Sequence, residues 1–135
     1  MAKKKDKKKS KLAALIAPKV KKLELLYMAE KEITVKDLEQ ALTSDTNEET
    51  HIWPEIGIME ITLKSSGVVD VETMNGFMDD EEDLAFMKEH HIVSVYALTV
   101  EEPYLEEMRR CVAEWIATFG GFLCTDSDDF MPIYK

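Results

Sequence analysis

Residues 92–121, IVSVYALTVEEPYLEEMRRCVAEWIATFGG, decide the fold because they join a strand directly to a helix. The first nine residues are almost continuously apolar and rich in β-branched side chains, which is typical of a strand buried on both faces of a sheet. Pro103 then opens a helix, in which apolar side chains recur at helical spacing as far as Phe119. Gly120 and Gly121 end this helix. We therefore expect a central strand, followed by a helix whose apolar stripe packs against a core.

Shorter patterns on both sides of this stretch complete the prediction. In chain order they are strands at 56–63 and 68–74 joined by a loop that ends at Gly67, a helix at about 81–90 capped by Asp79 or Asp80, a short strand at 122–125, and an edge strand at 130–134. The order after residue 50 is ββαβαβ(β). It predicts an α+β fold, a two-layer sandwich of one mixed or antiparallel sheet with its helices on one face.

A short helical segment is expected to precede this unit. Val20, Leu23, Leu26 and Tyr27 are spaced three and four residues apart, which favours a helix that begins near residue 12. Thr34 and Asp37 have the spacing of a capping box and predict a second short helix. The polar residues 43–50 contain no apolar side chain and read as a loop.

These patterns divide the chain into three parts. Residues 1–11 are a lysine-rich tail with nothing to bury, and we expect it to be disordered. Residues 12–50 form the helical segment and loop, and residues 51–135 form the compact α+β domain.

Charge is divided just as sharply. Residues 1–22 hold ten lysines and one acid, a net charge of +9, whereas residues 23–135 hold seven basic and 26 acidic residues, a net charge of −19. Such an acidic body repels nucleic acids and anionic membranes and attracts cationic surfaces. Contact with nucleic acid is therefore expected, if at all, only through the tail lysines, which are Lys3, Lys4, Lys5, Lys7, Lys8 and Lys9.

The turn at 126–129 is the candidate partner-binding site. Asp126, Asp128 and Asp129 follow a predicted strand end, where a rigid support projects side chains outward. Their carboxylates also suit Ca²⁺ or Mg²⁺, but Asp and Ser are ordinary turn residues that bond their own backbone. We assign the three aspartates to partner contact and assign no metal site.

No residue is assigned to catalysis or to a cofactor. The chain has no GxGxxG, GxxxxGK[ST], HExxH or GxSxG motif. A pair formed by Cys111 or Cys124 with a histidine has no support in the local sequence. Two cysteines among apolar residues, no apolar run long enough to span a membrane and no complete signal peptide indicate a cytoplasmic protein.

The sequence thus favours a non-enzymatic, acidic binding or regulatory module that engages a cationic protein partner. In charge and size alone it is similar to small bacterial immunity proteins that neutralise a cationic toxin. Two alternatives stay open. One is a small enzyme whose catalytic residues are dispersed along the chain, and the other is a protein tethered by its tail to nucleic acid or the ribosome.

Overall fold

One antiparallel sheet organises the chain in the computed structural model, which describes residues 21–74, 80–126 and 130–134. The α-helices and strands of the described residues are β1 (Lys22–Ala29), α1 (Val35–Ala41), β2 (Asn47–Trp53), β3 (Ile58–Leu63), β4 (Val68–Thr73), α2 (Glu81–Glu89), β5 (Ser94–Glu101), α3 (Leu105–Phe119), β6 (Phe122–Thr125) and β7 (Ile133–Tyr134). The strand order is β2-β3-β4-β5-β1-β6-β7, and every neighbouring pair is antiparallel. The prediction of an α+β fold built on one antiparallel sheet is therefore confirmed.

Residues 92–121 form the central strand and the amphipathic helix that their sequence predicts. β5 is the fourth of seven strands, and its first three residues are buried without interruption. α3 follows it and buries the stripe formed by Met108, Cys111, Val112 and Trp115. The helix ends at Gly120, whose backbone N–H donates to the Ile116 carbonyl at 2.8 Å. Gly121 then allows a close approach to β1, because a Cβ atom there would lie 2.1 Å from the Met28 carbonyl oxygen.

The helix predicted around residues 20–27 is wrong where it can be seen. Residues 22–29 form strand β1, which lies between β5 and β6 in the middle of the sheet. Leu25, Tyr27 and Ala29 face one core cluster, whereas Leu26 and Met28 face another. Helical spacing misleads here because a strand buried on both faces is apolar at nearly every position, so it contains the helical spacing too. The part of the prediction at 12–20 and the tail at 1–11 lie outside the described residues.

β1 also crosses the expected division of the chain. It belongs to the segment 12–50, yet all of its strand partners lie in β5 and β6, beyond residue 90. The loop predicted at 43–50 is wrong from Asn47 onward, because strand β2 begins there. β2 is an edge strand, and its core side carries only Thr50 and Ile52, which are half-buried. So little apolar surface gives no strand signal.

The sequence predicted that the helices pack on one face of the sheet, and this prediction is wrong. α1 and α3 share a core with one face of the sheet. α2 lies against the other face, where Phe86 and Met87 cover apolar side chains of β1, β5 and β6. The Phe86 ring is 4.5 Å from that of Phe130 and 6.2 Å from that of Phe122, measured between centroids. The correction follows from the two-sided burial of the central strands, which need cover on both faces.

Local predictions near the turns are mostly confirmed. Thr34 and Asp37 form the capping box that begins α1, with reciprocal backbone hydrogen bonds of 3.2 and 2.9 Å. Asp80 occupies the N-cap position of α2, but its side chain makes no capping hydrogen bond. β3 and β4 form the expected hairpin. Gly67 in its loop lies under the Tyr104 ring, and a Cβ atom there would be 2.4 Å from the ring.

Buried aromatic side chains tie the layers together through their polar atoms. The Tyr27 hydroxyl of β1 donates to the Gly120 carbonyl at 2.8 Å, just after α3. The Trp115 indole N–H donates to the Leu38 carbonyl of α1 at 2.9 Å. That carbonyl lies in the last turn of a short helix, where backbone acceptors lack helical partners. Trp115 therefore contributes both apolar burial and the link between α1 and α3.

Replacing Trp115 by alanine is expected to destabilise the fold strongly. The side chain is fully buried, and truncations of this kind cost about 3–5 kcal/mol. Trp53 is the matched control because it is 44% exposed, and Trp53→Ala should cost less than about 1 kcal/mol. Urea unfolding followed by circular dichroism measures both free energies. Equal losses in the two variants would contradict the described packing.

Candidate partner-binding surface

The described residues cover only half of the sheet face opposite α1 and α3. α2 and the segment at 130–133 cover its β5–β1–β6 half. Over β2, β3 and β4, and at the adjoining ends of β5 and β1, the side chains of this face are wholly or partly exposed. We call this region the open face; its members are Lys22, Glu24, Glu49, His51, Trp53, Ile58, Glu60, Thr62, Val68, Asp70, Glu72, Thr99 and Glu101.

Strand register lines up one row of polar side chains across five strands. His51 of β2 lies opposite Glu60 of β3, which lies opposite Asp70 of β4. Asp70 lies opposite Thr99 of β5, which lies opposite Glu24 of β1. Directly opposed residues of an antiparallel pair have Cβ atoms about 4.5–5.5 Å apart. Three carboxylates therefore share one row, and two of them are immediate neighbours.

Alternation along β3 and β4 explains this arrangement. Met59 and Ile61 are fully buried in the core, so the intervening Glu60 must point to the other face. Val69 and Val71 place Asp70 on the open face in the same way. The hairpin register then sets the two acids side by side.

The carboxylates of Glu60 and Asp70 have no cationic partner within the described ranges. The ion pairs found there join Lys64 to Glu48 at 3.2 Å and Arg109 to Glu106 at 3.2 Å, and the His51 imidazole lies 3.3 Å from the Glu49 carboxylate. Like charges directly opposite each other on a sheet are destabilising. The open face is therefore an acidic surface whose central charges are not compensated by the fold around them.

Apolar side chains border the acidic row at the β2–β3 end of the sheet. Trp53 is 44% exposed and lies opposite Ile58, which is half-buried. Ile56, in the single-turn 3-10 helix between these strands, is 60% exposed, but it lines a depression with Ile33 and Tyr96 of the helix side and is not part of the open face. Val68 is exposed on the other side of the row, where it lies opposite Thr62 of β3. The open face thus combines negative charge, which can steer a cationic partner, with an exposed tryptophan, a residue type that is enriched in protein interfaces.

The aspartates predicted from the sequence fall at the border of this surface or outside the described residues. Asp126 is exposed and directly follows β6. Its backbone N–H donates to the Glu24 carbonyl at 3.4 Å, which places it beside the β1 end of the acidic row. Asp128 and Asp129 lie outside the described ranges. Glu24, Glu60 and Asp70 were not singled out from the sequence, although acids alternating with apolar residues at 59–63 and 69–72 carried the signal.

The two free cysteines have the environment of core residues. Both are buried. Burial raises the pKa of Cys111 from its ordinary 9.0 to about 11, and that of Cys124 to about 12, where the nearby charge of Asp126 adds to the shift. These thiols stay protonated at neutral pH, whereas a thiol nucleophile needs its thiolate form.

The described part of the chain holds neither a cluster of metal ligands nor a helix that could span a membrane. No group of three or more His, Cys, Asp and Glu residues is placed there to hold a metal ion. None of its helices has the length and apolar character needed to cross a bilayer.

Comparison with known protein families, curated proteins and solved structures finds no match to this chain.

Stability is expected to fall as the pH rises above about 9. Burial raises the pKa of the Cys111 thiol to about 11 and that of the Tyr96 hydroxyl to about 12, and it also raises the pKa of Tyr27. These groups lose protons in the unfolded chain first, so the folded state binds more protons and is penalised by each further rise in pH. Urea midpoints between pH 8 and 10.5 measure the effect, and Cys111→Ala is expected to flatten the decline. An unchanged midpoint up to pH 10.5 would contradict the burial of these groups.

Proposed function

We propose that this protein is a non-enzymatic binding module that engages a cationic protein partner through its open face. The observation that supports this most directly is the acidic row, in which Glu60 and Asp70 are neighbours without a described counter-charge. A cationic partner would supply that charge. Comparison with small immunity proteins of bacteria rests on size and charge, and under this proposal the partner is a cationic protein that the module binds and restrains in the cytoplasm.

Charge gives such a surface its rate and its selectivity. Complementary charges accelerate diffusional encounter and exclude partners of the wrong sign, and salt screens the effect over roughly 8 Å at physiological strength. Glu24, Glu60 and Asp70 project from strands held by the core on the opposite side. The strands fix their backbone positions, so association has to order only the side chains.

Apolar contact is expected to give the complex its lifetime. Trp53 is large, 44% exposed and lies on the open face opposite Ile58. Tryptophan is enriched among the residues that carry most of the binding energy in interfaces. We therefore place the anchor of the interface at Trp53 and its electrostatic guidance along the acidic row, with Asp126 at the border.

A test begins with capture of the partner from native cells on immobilised protein at low salt, followed by its purification. Stopped-flow kinetics then compare wild-type protein with the double variant Glu60→Gln/Asp70→Asn. Association should slow by about tenfold at low salt and depend less on salt, because the steering charges are gone. Trp53→Ala should chiefly accelerate dissociation.

Asp45→Asn/Glu106→Gln is the matched control. It also removes two negative charges, but from exposed positions on the helix side of the sheet. Glu106 belongs to α3, and Asp45 precedes Thr46, whose hydroxyl donates to Glu114 of α3. If both double variants slow association equally, the effect comes from net charge alone and the open face is not the binding surface. Unchanged association rates in Glu60→Gln/Asp70→Asn would also overturn the proposed surface.

A further inference from the structure

The N-terminal segment has the charge that the open face lacks. Residues 1–20 carry eight lysines and one acid, a net charge of +7. The open face carries six carboxylates, those of Glu24, Glu49, Glu60, Asp70, Glu72 and Glu101. Lys22 and His51 are the basic side chains among its members. The two charge distributions are complementary and belong to one chain.

The chain enters the sheet at the edge of this surface. Glu102 donates its backbone N–H to the Lys21 carbonyl at 2.8 Å, which fixes the start of β1 beside the end of β5. Lys22, the first residue of β1, lies opposite Glu101 in the register. A shallow depression of about 100 Å³ lies at this point, lined by Lys22, Val68, Asp70, Thr99, Val100 and Glu101. Residues 1–20 therefore join the described fold directly at the acidic surface.

We propose that the lysine-rich segment at residues 1–20 binds the open face of its own chain and occupies it until a partner displaces it. The reach is sufficient. Twenty residues span at most roughly 66–72 Å when extended, whereas the strand spacings from β1 to β2 add up to roughly 19 Å. The segment crosses the whole acidic row with length to spare.

Attachment to the same chain makes this segment a strong competitor. A covalently linked ligand acts at an effective concentration on the order of millimolar, so individually weak lysine–carboxylate contacts suffice to hold it. A partner must then present more cationic charge or add apolar contacts at Trp53. This inference rests on the proposed function, because it assigns an internal occupant to the same surface. It also directs the tail lysines away from nucleic acid while the face is unoccupied by a partner.

The test uses a fluorescein-labelled peptide of residues 1–20 and fluorescence anisotropy at 50 mM salt. Two full-length proteins are compared. One is the wild type. The other is the lysine-neutralised chain, in which all seven lysines of residues 1–11 are replaced by glutamine: Lys3, Lys4, Lys5, Lys7, Lys8, Lys9 and Lys11. Wild-type protein should bind the peptide about tenfold more weakly, because its own segment competes for the face.

Charge variants show whether the competition takes place on the open face. The ratio between the two proteins should fall below about threefold when both carry Glu60→Gln/Asp70→Asn, and should persist when both carry Asp45→Asn/Glu106→Gln. Equal peptide affinities of the wild type and the lysine-neutralised chain would overturn the inference. So would a ratio that responds alike to both pairs of substitutions, because that pattern reports only net charge.

Failure of this inference is distinguishable from failure of the proposed function. If the segment does not compete, the peptide binds both proteins equally, while capture of a cationic partner still depends on Glu60 and Asp70. If the proposed function fails, partner association is insensitive to these two acids, whether or not the peptide binds the two proteins with different affinities.

Discussion

The insertion of β1 between β5 and β6 is the constraint on which the rest of the structure depends. The strand pairs along its whole length with β5 and along half of its length with β6. A segment near the N-terminus therefore joins two strands from the C-terminal part of the chain into one sheet. Tyr27 and Met28 are fully buried on opposite faces. Two-sided burial requires cover on both sides, and α3 and α2 provide it. Because α2 reaches only the β1 side of the sheet, the described residues leave the β2–β4 side of that face open.

The chemistry of the open face follows from that geometry. A half-covered antiparallel sheet sends alternate residues to solvent, and in β3 and β4 these include Glu60, Asp70 and Glu72. Solubility alone would be served by charges of both signs spread over the surface. Here carboxylates are directly opposed, while eight of the chain's lysines precede residue 21. Both proposals follow from this separation: a cationic partner and the cationic segment of the same chain are alternative occupants of one surface.

Strong local patterns were enough to predict most elements but not their arrangement. β5, α3, the hairpin and the capping box at Thr34 were predictable, because each combines periodicity with a Gly, Pro or Thr signal at its end. β1 was mistaken for a helix and residues 47–50 of β2 for a loop, because burial on both faces removes strand alternation and an edge strand needs few apolar residues. Of the candidate surface, the sequence singled out only Asp126 at its border, and that assignment stays a prediction. The row through Glu60 and Asp70 depends on pairing register across five strands, which no single segment encodes.

The proposal that Glu60 and Asp70 serve binding and not folding is tested most directly by stability. Urea unfolding at low salt compares the lysine-neutralised chain with the same chain carrying Glu60→Gln/Asp70→Asn, so that the N-terminal lysines do not mask the repulsion. Relief of the opposed charges should raise the free energy of unfolding by about 0.2–1 kcal/mol. A loss of about 1 kcal/mol or more would show that the two carboxylates support the fold, and would contradict a surface kept acidic for a cationic occupant.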